Sequence, residues 1–184
     1  KILWYCFSAS CEAKGSFNSE RTMHDISYYI HRDDTDTDKN FTVPKNFTSP
    51  HSQDRCIRYM IENNCLSAVT KGRADVRYDP ARDRLVFMIH NDLGKIIGGV
   101  GRSLNSIVLP KWYVYGSKSF PFICGNSGTA VVVEDCASAC AVSEDYTGVA
   151  LMGTSLTDEY SEILQTKYSE IIVALDRDAT SKAF

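Results

Sequence analysis

Gly128-Thr-Ala-Val-Val-Val-Glu134 and Glu170-Ile-Ile-Val-Ala-Leu-Asp-Arg-Asp178 decide how this chain is read. Each is a short apolar run that ends abruptly on carboxylates. Residues 129–133, 148–152 and 170–175 read as buried strands, and helical patterns at 136–142 and 157–167 separate them. Thr157 is an N-cap for the second helix, with Asp158 and Glu159 in its first turn, where the helix dipole favours negative charge. Alternation of strand and helix predicts a parallel sheet flanked by helices. Ligands of such sheets collect outside the carboxyl ends of the strands. Glu134, Asp176 and Asp178 stand at those ends, where three carboxylates would repel one another unless a hard cation such as Mg²⁺ or Mn²⁺ joined them. An acidic strand end that simply meets water explains any one of these residues. Their coincidence at two strands favours the metal.

Upstream the pattern changes. Residues 84–89 and 95–100 are apolar runs on either side of Asn91-Asp-Leu-Gly94, which predicts a β-hairpin with glycine where a positive φ is cheap. Ser52 is an N-cap for a helix with Ile57, Met60 and Ile61 on one face, ending near Asn63-Asn64. Residues 19–30 read as a short helix, and the Asp-rich, apolar-free stretch at 32–40 reads as a linker. The glycines of Gly98-Gly-Val-Gly101 let a strand bend or a nucleic-acid backbone approach closely, and Cys136 and Cys140 read as small core residues. Asp34, Asp36 and Asp38 imitate half of a calcium loop, but Lys39 and Lys45 stand at the glycine and glutamate positions. The fold class is therefore mixed: a basic α+β part, then an α/β parallel sheet.

The 184 residues carry a formal net charge of −3, and 43% of them are hydrophobic, which excludes a disordered chain. The average hides a division. Residues 1–70 hold 8 Lys/Arg against 9 Asp/Glu, residues 71–118 hold 9 against 4, and residues 119–184 hold 3 against 10. Cations followed by carboxylates suit a protein that handles polyphosphate. No apolar run approaches the ~20 residues of a membrane span, and seven cysteines, an odd number, read as reduced thiols. The expectation is a cytoplasmic protein with no membrane partner.

The same segments carry a family resemblance. Gly128 to Glu134, Gly148-Val-Ala-Leu-Met-Gly-Thr-Ser-Leu-Thr157 and Ile172-Val-Ala-Leu-Asp-Arg-Asp-Ala-Thr180 resemble the successive motifs of a Toprim domain, and the Gly-Thr-Ser-Leu-Thr stretch resembles primases in particular. Asp83-Arg84-Leu-Val-Phe-Met-Ile89, Gly94-Lys95, Gly101-Arg102-Ser103 and Pro110-Lys111-Trp112 look like the basic half of a primase polymerase domain of the bacterial and phage type. Trp4-Tyr-Cys6-Phe7 and Cys11-Glu-Ala-Lys-Gly15 resemble the second half of a primase zinc ribbon. The resemblance implies an incomplete ribbon at 1–31, an acidic linker at 32–44, a basic subdomain at 45–125 and a truncated Toprim-like, Rossmannoid subdomain at 126–184, in a fragment or a stripped-down version of such a protein.

It implies a DNA primase that copies single-stranded DNA from ribonucleoside triphosphates in phage replication, alongside a fused or separate replicative helicase. Glu134, Asp176 and Asp178 would be catalytic and hold Mg²⁺ or Mn²⁺; Arg84, Lys95, Arg102, Lys111 and Lys182 would hold nucleic acid and nucleotide. Zinc would bind Cys6 and Cys11 only if two further ligands joined them. Ser138 replaces an aspartate that many primases carry four residues after the glutamate, a loss for which Asp135 would compensate in part. Strand cleavage by a Toprim nuclease or topoisomerase, and a DNA-binding module with weakened catalysis, are the rival readings.

Overall fold

A computed structural model describes residues 2–5, 14–17, 41–153 and 156–175. The chain divides into two compact units, Lys1–Thr35 and Asp36–Phe184. In the first, β1 (Ile2–Tyr5) pairs antiparallel with β2 (Lys14–Phe17). Cys6, Cys11, the helix expected at 19–30 and the linker at 32–40 lie outside the described residues.

The second unit holds two four-stranded sheets. β3 (Val76–Asp79), β4 (Arg84–His90), β5 (Ile96–Ser103) and β6 (Trp112–Gly116) form an antiparallel sheet in sequence order. The predicted turn joins β4 to β5: Gly94 has φ 72° and its N–H donates to the Asn91 carbonyl at 2.9 Å. Every β4 residue but His90 is buried, because both faces of the sheet are covered. Leu85, Phe87 and Ile89 pack with Cys56 and Met60 of α1 (Asp54–Glu62) and Ala68 of α2 (Leu66–Thr70). Val86, Met88 and Tyr115 pack on the other side against Phe41, Val43 and Phe47. The glycines of β5 serve this packing. A Cβ at Gly98 would lie 2.1 Å from the Ser117 carbonyl oxygen, and one at Gly101 would lie 2.7 Å from the Tyr115 ring.

β7 (Phe122–Cys124), β8 (Thr129–Val133), β9 (Thr147–Ala150) and β10 (Glu170–Val173) form the second sheet, in the order β10-β8-β9-β7. β8, β9 and β10 are parallel as expected; β7 is antiparallel, which makes the sheet mixed. α3 (Cys136–Val142) and α4 (Asp158–Lys167) occupy their predicted places, and Thr157 Oγ1 accepts from the Tyr160 N–H at 3.3 Å. α3 lies so close to β9 that a Cβ at Gly148 would stand 2.0 Å from the Ala139 carbonyl oxygen.

Two expectations are corrected. Ser52 does not cap α1; it ends a 3-10 turn, Pro50–Ser52, that Ser49 caps, and α1 starts behind Gln53 without a side-chain cap. β10 is not a buried strand: among the described strands it pairs with β8 alone, at the sheet edge, and Ile171, Ile172 and Val173 are each 39 to 49% exposed. Among the described residues no helix is long and apolar enough to cross a membrane.

All five cysteines among the described residues are free thiols in one core that reaches from α1 to α3. Burial pushes the Cys56 thiol up to about 12 and Cys65 up to about 11. Unfolded thiols release their protons near pH 9, so folding keeps protons that the unfolded chain would lose. That stability is complete below pH 9 and falls as pH rises towards 11, by about 1 kcal/mol per thiol per pH unit. Urea midpoints at pH 8.5 and 10 should show the drop, and replacing Cys56 and Cys65 with Ala should reduce it, the rest coming from Cys136 and Cys140, whose thiols are raised as well. Gly148→Ala should cost at least ~3 kcal/mol in the same assay, because backbone blocks the new methyl group. Gly128→Ala, where the nearest atom is the Ser169 hydroxyl at 3.5 Å, should cost under ~1 kcal/mol.

Candidate active site at the acidic strand ends

Because β8, β9 and β10 are parallel, their carboxyl ends share one edge of the sheet. The ladder continues past the strands: Leu151 N–H donates to Val133 O, Met152 N–H to Glu134 O and Ala174 N–H to Val132 O, each at 2.9 Å. The backbone of Glu134 is therefore fixed on the central strand end. Met152 turns the chain there with φ 53°, a left-handed conformation that costs a non-glycine residue energy and concentrates at functional sites.

Asp135, expected to compensate in part for Ser138, has a second, local task. It is the N-cap of α3, and its Oδ1 accepts from the Ser138 N–H at 2.9 Å. The cap engages one of the two carboxylate oxygens, and Asp135 also lines a cavity between the two sheets. Glu134 is the predicted metal ligand that lies among the described residues, and no group of three or more metal-binding side chains is found among them. Asp176 and Asp178 follow β10 in sequence and lie outside the described residues, as does Lys182. The proposed donors are all carboxylate oxygens, the type that Mg²⁺ and Mn²⁺ take.

The antiparallel sheet brings cations to the same place. Arg102 on β5 stands opposite Trp112 on β6. Its guanidinium lies 5.2 Å from the Trp112 ring centre and 5.8 Å from that of Tyr59, and its Nε is buried without a hydrogen-bond partner among the described residues. Lys111 is exposed next to Trp112. A cavity of about 320 Å³ joins the two sheets: Lys111, Trp112, Val100 and Val114 line it from one side, and Glu134, Asp135, Met152 and Gly153 from the other. Clefts of about 450 and 400 Å³ occur beside α4 and β3, and no predicted site residue lines either.

Two predicted nucleic-acid contacts do not join this cavity. Arg84 is 3% exposed, and its guanidinium donates to the carbonyl oxygens of Pro110 at 2.8 Å, Gly101 at 3.2 Å and Lys111 at 3.4 Å. It also lies 5.6 Å from the Tyr113 ring centre. Arg84 is thus a positioning residue that holds the chain leading into β6. Lys95 precedes the opposite end of β5, roughly 20 Å from Arg102 along the strand. Sequence reasoning missed the Asp135 cap, although an Asp directly before a helix is a standard start signal, and it missed the Tyr59 contact, for which no local pattern exists.

No family model matches the chain, and no curated protein matches it. Solved structures do. The primase of Aquifex aeolicus, in its zinc-binding and RNA polymerase domains, superposes with a TM-score of 0.54 at 18% identity, over 73% of this chain and 47% of that one. The fold is that of a bacterial primase core. The DnaG catalytic core (TM-score 0.47, 17% identity, 88% of this chain and 56% of that one) is a looser match. So is a DNA primase domain from Pseudomonas aeruginosa (0.47, 18%, 73% and 48%). The chain spans about half the length of the structures it matches.

On this primase-like frame the two cations separate cleanly. Arg84→Ala should destabilise the protein by about 3 kcal/mol, since it removes a buried charge bonded to carbonyls and leaves those carbonyls unpaired. Lys111→Ala should leave the urea midpoint within about 0.5 kcal/mol of wild type, yet weaken oligonucleotide binding and lower its salt slope by about 1.

Proposed function

We propose that this chain is a primase: a nucleotidyltransferase that makes short RNA primers on single-stranded DNA from ribonucleoside triphosphates. The observation that carries the reading is the cavity in which Lys111 and Glu134 share one lining, with Arg102 stacked beside it on Trp112. Likeness of fold to a solved primase supports it, as do the sequence motifs that resemble that family. Phage replication is the setting that the motifs suggest, with a replicative helicase as the accompanying partner.

Lys111 and Arg102 would bind and orient the phosphates of template and incoming nucleotide, with Lys95 and Lys182 as outlying contacts. Arg84 acts through the loop that it holds. Glu134, Asp176 and Asp178 would hold Mg²⁺ or Mn²⁺, which when bound supplies charge stabilisation for attack of a ribose 3′-hydroxyl on the α-phosphate and departure of pyrophosphate. Trp112, Val100 and Met152 wall the cavity with apolar surface, which lowers the local dielectric and strengthens these charges. Zinc would enter only with two ligands additional to Cys6 and Cys11.

The Asp135 cap favours one second reading, a single-strand-binding module with a weakened metal site. Both are tested by extension of labelled ribonucleotides on single-stranded DNA with Mg²⁺ or Mn²⁺. Primer synthesis that falls at least about a hundredfold in Asp176→Ala/Asp178→Ala would support the primase. Metal-independent DNA binding with no synthesis would support the module, and nicking of the template would support a Toprim nuclease.

A further inference from the structure

Beyond the Arg102–Trp112 rung, the β5–β6 hairpin ends in an apolar tip. Ile107 is 86% exposed, Leu109 81% and Val108, between them, 39%. Three consecutive large aliphatic side chains in water forgo burial energy and differ from a single exposed residue such as Leu93, which needs no account. The tip is also tightly built. Ser103 Oγ donates to the Asn105 carbonyl at 2.7 Å, the Ile107 N–H donates to Asn105 Oδ1 at 3.0 Å, and the Ser103 N–H donates to the Lys111 carbonyl at 3.0 Å. The buried Arg84 pins the returning strand through Pro110. Side chains held out on so ordered a base lose little entropy on meeting a ligand.

We propose that this tip packs against the unpaired bases of the single-stranded DNA whose phosphates Lys111 and Arg102 receive. The inference rests on the proposed function and adds to it a contact with bases. Charge favours this occupant over an apolar protein partner: the tip lies inside the segment 71–118, which carries 9 Lys/Arg against 4 Asp/Glu, and Lys111 follows it by two residues. Aliphatic side chains are the type that wedges against and between bases, and such contact is indifferent to sequence. A strand whose phosphate meets Lys111 comes within two residues of Leu109, because both belong to one hairpin.

The test compares a twelve-nucleotide oligothymidylate with an abasic oligomer of equal length and charge, binding each to the full chain, to I107S/L109S and to I107F/L109F. The substituted positions are exposed, and circular dichroism checks that the variants fold. Wild type should prefer the base-bearing strand. I107S/L109S should lose about tenfold in affinity for it, with abasic binding and the salt slope unchanged, and I107F/L109F should keep the preference. Equal affinity of wild type and I107S/L109S for oligothymidylate would overturn the proposal while leaving primer synthesis, if present, to stand. A change in self-association on sedimentation with no change in DNA binding would make the tip a protein contact and would also overturn it. Failure of wild type to bind either oligomer would overturn the tip and the primase reading together.

Discussion

Phe87 joins the two halves of the larger unit. Its ring lies 5.7 Å from that of Phe122 on β7, edge to face, and 6.3 Å from Trp112, which walls the cavity. Aromatic pairs at these separations add directional preference to the apolar area that they bury. One core, from Met60 through Phe87 and Phe122 to Ala137, therefore fixes the basic hairpin against the acidic strand ends. If the sheets packed separately, Lys111 and Glu134 would belong to two surfaces. Because they share a core, they share a cavity.

The charge division in the sequence becomes intelligible on this frame. The cations of 71–118 do not act alike: Arg84 is spent on carbonyl oxygens, Lys71 pairs with Glu144, and Arg77 holds Asp75. Lys111 is the predicted contact that the hairpin delivers to the cavity, and Arg102 stacks on Trp112 in its wall. The carboxylates divide too. Asp79, fully buried, accepts from the Tyr115 hydroxyl at 2.6 Å, and Asp135 caps α3, whereas Glu134 lines the cavity. Charge counts thus located a region, and the cavity lining selected residues within it.

The second sheet was legible because β-branched runs ending in carboxylates, and helices with a cap at Thr157, are local signals. The β4–β5 hairpin was legible for the same reason, since Gly94 marks its turn. β3, β6, β7 and α2 were not read. β7 and α2 are only three and five residues long, and the half-exposed Trp-Tyr-Val-Tyr of β6 shows no clean alternation. The burial of Arg84 was hidden because a charged residue before an apolar run reads as the end of a strand at water. Its acceptors, at Gly101, Pro110 and Lys111, are set by tertiary pairing of β4 with β5. The exposure of β10 was hidden likewise, since Ile-Ile-Val is as apolar at a sheet edge as in its middle.

The central claim is that Lys111 and Glu134 serve one ligand. Calorimetry of ribonucleoside triphosphate binding with Mg²⁺, on wild type, Lys111→Ala, Glu134→Ala and the double variant, tests it as a cycle. Shared service predicts coupling: the double variant should bind differently from the sum of the single losses by about 1 kcal/mol or more. Strictly additive losses, or nucleotide binding that neither substitution alters, would contradict the claim that the two sheets build a single site.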